Sequence, residues 1–295
     1  MTDLTDSDIG QITTFLYDCC ERVLRWLPTA PAWEPAWQRC AAQEELANAE
    51  VGPAGPWAER PVRTVYGQTA GFLAATVDCL HALADVVDPH ITAYVPNVLA
   101  RAAMEAGAQA WWLLEPGIGA RRRVIRSVLI RAASARRLAE NVGKVDPAAV
   151  VTDYGEDDDA VRAYADALGL TYTINGHKVE CEGERLPSYT NRAEAFAAAN
   201  LISGAYAVYS GAAHAEWHAV VQGWRPDPAA APTGRWTRRP DRAAVWAAVI
   251  ASSGYAVVPA RRALTLLGRT ARLVEIDHYL ERIGNLQHQL GLAGG

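Results

Sequence analysis

The sequence lacks the cysteine spacing of a disulfide framework or of a structural zinc site. Its five cysteines are Cys19, Cys20, Cys40, Cys79 and Cys181. The number is odd, two are adjacent, and none belongs to a CxxC pair or to a Cys/His ligand spacing. Proteins of oxidising compartments usually carry paired cysteines, so this pattern favours a reducing cytoplasm.

Targeting and membrane signals are also missing. Residues 1–10 contain three aspartates and no basic, apolar run, so we expect no signal peptide. No uninterrupted apolar stretch reaches the roughly 20 residues that a bilayer-spanning helix needs, and we therefore expect no membrane segment.

An excess of positive charge is absent. The net charge is −5 and the pI is about 5.8, which argues against a general nucleic-acid binder without excluding one. Half of the residues are hydrophobic and 21% are charged, which is typical of a globular protein rather than a disordered one. With 295 residues we predict one domain over residues 1–295, within which residues 1–60 could form a subdomain.

Helix signals run through most of the chain. Apolar residues recur at intervals of three and four, and prolines stand where helices begin or end. The predicted helices cover residues 7–27, 63–87, 96–114, 120–143, 157–169, 192–222, 241–267 and 271–290, with a further helical piece ending near residue 50. The sequence thus predicts an all-α fold, an antiparallel bundle of about eight to ten helices.

One segment gives a strand signal. Residues 171–174 and 178–181 flank Asn175-Gly176, which predicts a β-hairpin with a type I′ turn. We expect it to be a small insertion, at about 171–181 within residues 170–187. Residues 223–240 contain four prolines and two glycines, which predicts an irregular loop.

Two polar stripes interrupt apolar helices. On the first, Arg101, Glu105 and Gln109 stand at i, i+4 and i+8, and Trp112 continues the stripe. A buried charge needs a partner, because an unpaired one is strongly unfavourable. Arg101 and Glu105 therefore either face a ligand or form an internal ion pair that ties helices together.

On the second stripe, Tyr206, Ser210, His214 and His218 recur every four residues. His214 could transfer a proton near neutral pH, or it could be a core histidine with its hydrogen bonds satisfied. A zinc protease helix would need glutamate directly after the first histidine, whereas Glu216 comes two residues later. No third ligand can be named, so we predict no metal and no cofactor.

Arginines dominate the predicted helix over residues 120–143. They are Arg121, Arg122, Arg123, Arg126, Arg131, Arg136 and Arg137. They either bind phosphate or form a solvated face that pairs with acidic residues elsewhere in the chain. Two further pairs, Arg272 with His278 and Arg282 with His288, have the RxxxxxH spacing of the helical HEPN ribonucleases.

Three motifs in a fixed order resemble a group of actinobacterial helical proteins for which no activity is established. They are LARAAME at 99–105, WWLL at 111–114 and YSGAAH at 209–214. The resemblance covers residues 64–217. It implies a shared helical fold and a grouping of Arg101, Glu105 and His214.

Our leading hypothesis is a small-molecule-binding protein or enzyme with a polar site inside a helical bundle. Its ligand would be small and anionic or carbonyl-bearing, and its chemistry would be acid/base. The expected catalytic residues are Glu105 and His214, and the expected binding residues are Arg101, Gln109, Trp112, Tyr206 and Ser210. The alternatives are a HEPN-like, dimeric ribonuclease or nucleic-acid-binding protein and a non-enzymatic scaffold that binds a partner. The first hypothesis also allows a homodimer.

Overall fold

A computed structural model describes residues 3–27, 61–87, 94–145, 158–175, 178–200, 206, 224–226, 236–238 and 241–289. Its described helices are α1 (Asp6–Trp26), α2 (Pro61–Val86), α3 (Tyr94–Leu113), α4 (Ala120–Val145), α5 (Asp158–Ala167), α6 (Tyr189–Asn200), α7 (Arg242–Leu266) and α8 (Leu273–Gln289). A three-stranded antiparallel sheet lies between α5 and α6 in the chain. The predicted all-α fold with a small β insertion is confirmed.

Most predicted helices begin and end within a few residues of the described ones. The exception is the helix predicted over residues 192–222, because α6 begins earlier and its described part ends at Asn200. Within residues 201–223, only Tyr206 is described, and it is helical. The helical piece predicted to end near residue 50 lies outside the described residues.

The chain divides into two compact units. Unit 1 contains Met1–Ala30, Ala70–Trp111 and Tyr189–Gly295, and unit 2 contains Pro31–Thr69 and Trp112–Ser188. The predicted single domain, with its subdomain over residues 1–60, stays a prediction.

In unit 1, α7 is the central helix. Asp241 caps its first turn by accepting a hydrogen bond from the backbone N–H of Ala244 at 3.1 Å. The helix is apolar on all sides, and most of its residues are buried. Helices α1 and α8 both pack against it, and α1 turns Ile12, Leu16 and Val23 into the core. This pattern is that of a helix surrounded by others rather than one at a surface.

Helix α3 approaches α7 closely at Gly107. A Cβ atom on this residue would collide with the carbonyl oxygen of Tyr255 and lie 2.8 Å from its Cβ. Pro259, inside α7, has no N–H to donate to the carbonyl four residues earlier, which is that of Tyr255. A proline on one helix thus frees the carbonyl that a glycine on the other helix accommodates.

The Tyr255 side chain extends this contact to α6. Its hydroxyl donates to the carbonyl of Ala193 at 2.8 Å, and its ring centroid lies 4.0 Å from that of Phe196. Phe196 in turn meets Trp111 of α3 edge to face, at 5.7 Å between centroids. Helices α3, α6 and α7 therefore share one aromatic core, which fixes the position of α3 in unit 1.

In unit 2 the predicted hairpin is confirmed, with a shift in its turn. Strand β1 (Tyr172–Asn175) pairs with β2 (Lys178–Cys181), and Asn175 is opposite Lys178. Asn175 is therefore the last strand residue instead of the first turn residue, and residues 176–177 lie outside the described residues. A third strand, β3 (Glu184–Arg185), was not predicted. It follows Glu182 and Gly183, whose φ angles of 52° and 77° are those of a type I′ turn.

The prediction of an irregular loop over residues 223–240 is wrong in part. Strands β4 (Trp224–Pro226) and β5 (Trp236–Arg238) pair there in antiparallel fashion. Three-residue strands, one of which contains a proline, carry no usable alternation, so the sequence pattern misses them.

Two of the described helices, α2 and α7, are long and apolar enough to cross a membrane by length and composition alone. In α7, 78% of the most apolar window is buried inside the protein, as in the core helix of a soluble fold, and in α2 the share is 39%. One or two such helices are weak evidence of a membrane span. The absence of a membrane segment stays a prediction.

Candidate functional site

Helix α3 carries the first polar stripe of the sequence. Pro96 stands in its first turn, and small apolar residues fill much of the rest. The Nε of Arg101 donates to Oε1 of Glu105 at 2.7 Å, and the two side chains are 15% and 24% exposed. Gln109, one turn further along, is half-buried. The predicted pairing of Arg101 with Glu105 is therefore present, in a position that solvent can reach.

Tyr206 joins this pair from a distant part of the chain. Its hydroxyl donates to Oε1 of Glu105 at 3.0 Å, and its side chain is buried. The guanidinium carbon of Arg101 lies 5.7 Å from the centre of the Tyr206 ring, within the range of a cation–π contact. The structure thus brings together Arg101, Glu105 and Tyr206, which we call the polar cluster of unit 1.

The charge state of the polar cluster follows from its contacts. Burial alone would lower the pKa of Arg101, but the hydrogen bond and the charge of Glu105 raise it overall. Burial raises the pKa of Tyr206, and the Glu105 carboxylate raises it further. At neutral pH, Arg101 is therefore charged and Tyr206 keeps its proton.

Thr190 is a member of this environment that the sequence analysis missed. Its side chain forms a hydrogen bond with the Tyr206 hydroxyl, which counteracts the rise in the pKa of that tyrosine. Because Thr190 stands at the start of α6 and on neither stripe, the sequence carries no signal for this contact.

Of the remaining expected site residues, only Trp112 is described. Trp112 is buried in unit 2, where the guanidinium of Arg126 lies 4.6 Å from its ring centre. Ser210 and His214 lie outside the described residues, so their predicted approach to Glu105 stays a prediction. Among the described residues, no group of three or more His, Cys, Asp or Glu side chains could hold a metal ion.

The arginines of α4 pair with carboxylates, as one of the two sequence interpretations expected. Arg121 binds Glu182 and Arg122 binds Glu184, each at 2.9 Å. Arg126 binds Glu184 at 2.7 Å and Glu115 at 2.5 Å. Its side chain is only 4% exposed, so the expected solvated face is wrong at this position. The guanidinium can be buried because two carboxylates and the carbonyl of Trp112 satisfy it.

The two RxxxxxH pairs lie in and beside α8. Arg282 donates to Asp18 of α1 at 2.7 Å and lies over the ring of Tyr279 at 5.1 Å. His288 is exposed near the end of the helix. In the other pair, Arg272 and His278 both contact nearby glutamates and are largely exposed. Arg282 therefore has a structural partner in the fold, namely the carboxylate of Asp18.

A smaller group of titratable residues lies on the surface of unit 1. The Tyr17 hydroxyl donates to Asp85, whose second oxygen lies 3.5 Å from Nδ1 of His81. The hydrogen bond to Asp85 raises the pKa of Tyr17. His81 and Asp85 are both more than half exposed, so water screens their interaction.

Comparisons with protein-family models, with curated proteins and with solved structures found no match.

Proposed function

We propose that unit 1 binds a small polar molecule at the polar cluster, with Glu105 as the acceptor or base. One observation carries the proposal. Both described donors to Glu105, Arg101 and Tyr206, reach Oε1, and no described residue donates to Oε2. The Glu105 side chain is 24% exposed and so meets solvent, and in this proposal the ligand binds at Oε2.

A carboxylate held on one oxygen suits acid/base chemistry. The two donors fix the plane and direction of the carboxylate, so its other oxygen presents a lone pair in a defined orientation. A carboxylate oxygen that accepts hydrogen bonds is also the atom that would take up a proton from a bound ligand. In this proposal His214, two helical turns beyond Tyr206 on the predicted stripe, is the partner that returns the proton.

The competing interpretation is an internal ion pair that only ties α3 to the segment of Tyr206. It predicts a loss of stability when Glu105 is changed, and no effect on ligands. The proposal predicts a ligand whose binding depends on Glu105, so a binding measurement separates the two interpretations.

The test is a saturation-transfer NMR screen of small amides, acids, alcohols and aldehydes against the wild type and two variants. Glu105→Gln removes the negative charge of the polar cluster while preserving the shape of the side chain. Glu21→Gln is the matched control, because Glu21 also forms an Arg/Glu pair across one helical turn, with Arg25 on the exposed face of α1. We expect at least one compound to bind the wild type and the control, and to lose its signal in Glu105→Gln.

If every compound that binds the wild type also binds Glu105→Gln equally well, the polar cluster is structural and the proposal fails. The described residues offer no comparable observation for the alternatives. For the HEPN-like alternative, Arg282 is already bound by Asp18. For the partner-binding alternative, the large hydrophobic side chains that are exposed among the described residues include no tryptophan; they are Tyr17, Leu24, Val95 and Val274.

A further inference from the structure

The polar cluster contains one full charge of each sign at the same place. The guanidinium of Arg101 and the carboxylate of Glu105 are separated by 2.7 Å, and both are mostly buried. A cationic ligand that approached Glu105 would also meet Arg101, and an anionic ligand near Arg101 would meet Glu105. At such a site the attraction and the repulsion felt by a ligand of either charge largely cancel.

A neutral ligand avoids this cancellation if it has a donor and an acceptor side by side. The open position of the polar cluster is Oε2 of Glu105, which can only accept a hydrogen bond. The adjacent guanidinium favours a partial negative charge. A primary carboxamide or a urea offers these two features on neighbouring atoms, since one of its N–H bonds lies on the same side as the C=O.

We propose that the ligand of the polar cluster is a neutral carboxamide or urea-type compound. Its N–H donates to Oε2 of Glu105, and its carbonyl oxygen faces the guanidinium of Arg101. This inference rests on the proposed function and names its substrate class. Of the two ligand types that the sequence suggests, it selects the carbonyl compound over the anion.

The surrounding contacts maintain this arrangement. Tyr206 donates to Oε1, and Thr190 contacts the tyrosine hydroxyl, so the tyrosine proton is directed at Glu105. The Tyr206 ring lies beneath the guanidinium, which limits the directions that Arg101 can take. The first oxygen of Glu105 is therefore occupied within the protein, and the ligand meets the second.

The experiment compares benzamide, benzoate and benzylamine, which share one ring and carry charges of zero, minus one and plus one at pH 7. Binding to the full-length protein is measured by NMR titration up to millimolar concentration. We expect the wild type to bind benzamide about tenfold more tightly than either charged compound, since a hydrogen bond to a charged group contributes about that factor.

Two variants test the charge argument directly. Glu105→Gln removes the negative charge next to Arg101, so the preference should change to benzoate. Arg101→Met leaves Glu105 uncompensated, so the preference should change to benzylamine. Glu21→Gln, the surface control, should retain the wild-type order. A far-UV circular dichroism spectrum confirms that each variant is folded, and either variant alone is sufficient to test the inversion.

The outcomes separate this inference from the proposed function. Two results would show that the ligand class is wrong but that the site stands. Either benzoate binds the wild type most tightly and loses binding in Arg101→Met, or benzylamine binds it most tightly and loses binding in Glu105→Gln. If none of the three binds although the wider screen yields a Glu105-dependent ligand, the ligand class is again wrong. If benzamide binds all four proteins equally, it binds elsewhere and the inference is overturned.

Discussion

Asp8 offers the sharpest test of how the fold is stabilised. It is a buried carboxylate in the first turn of α1. One oxygen accepts from the backbone and hydroxyl of Thr5, at 3.1 and 2.7 Å, and the other accepts from Arg242 at 2.6 Å. The indole N–H of Trp246 lies 3.5 Å from this second oxygen. Asp8 therefore joins the capping box of α1 to the start of α7.

The size of the effect follows from the pKa. Burial alone would raise the pKa of Asp8, but the hydrogen bonds from Thr5, Arg242 and Trp246 lower it from 3.8 to about 2. One pKa unit corresponds to about 1.4 kcal/mol, so ionised Asp8 contributes about 2 kcal/mol to the free energy of unfolding. The change Asp8→Asn should remove this contribution, because the amide must point its N–H₂ group at a donor on one side or the other.

The sign of the pH dependence is fixed by the lowered pKa. The contribution is complete well above 3.8, the value in the unfolded chain, and is lost as the pH falls through about 2. The stability gap between wild type and Asp8→Asn should therefore be about 2 kcal/mol at pH 7 and about half of that at pH 3. Urea unfolding followed by circular dichroism at 222 nm measures both gaps.

Asp6→Asn is the matched control. Asp6 stands in the same turn but is exposed, so its loss should cost at most about 1 kcal/mol at pH 7. A gap for Asp8→Asn below about 0.5 kcal/mol at pH 7, or a gap of equal size at pH 7 and pH 3, would refute the reasoning.

Two further substitutions test packing and buried charge by the same unfolding assay. Gly107→Ala should destabilise the protein by about 2 kcal/mol, since the new methyl group meets the Tyr255 backbone. At Gly71, the control, a methyl group has open space, so Gly71→Ala should stabilise its helix by up to about 1 kcal/mol. Equal effects would show that α3 and α7 can separate without cost. Arg126→Met should cost about 3 kcal/mol, because it removes the buried guanidinium that Glu115, Glu184 and the Trp112 carbonyl share. Arg122→Met removes a side chain that is 55% exposed and should cost less than about 1 kcal/mol. A small effect at Arg126 would mean that water reaches these carboxylates.

Local signals in the sequence were sufficient to predict most helix ends. Pro28 follows α1 closely, and Asp241 provides the cap of α7. These residues act on the backbone within one turn, so their effect does not depend on the rest of the fold. The first hairpin was predictable for the same reason, although its turn was placed one residue early.

The contacts between distant segments were harder to predict. The pairing of Arg101 with Glu105 is set by helical spacing, but the bond from Tyr206 crosses 101 residues of the chain. It depends on how α3 packs, which in turn depends on the close approach at Gly107. Arg126 shows the same limit, because its burial depends on glutamates that come from two other segments. A sequence pattern gives the face on which a side chain lies but not the partner that it meets.

The discontinuity of unit 1 has a consequence for the order of its synthesis. The partners of α1 in α7 and α8, such as Arg242 for Asp8 and Arg282 for Asp18, lie more than 200 residues later in the chain and are translated after it. At ordinary rates of translation, α1 emerges roughly 10 to 40 seconds before residue 242 does. During that interval Ile12, Phe15 and Leu16, which the mature protein buries, have no α7 to cover them. The nascent chain therefore presents an amphipathic helix early, and it is during this interval that a chaperone would protect the protein from aggregation.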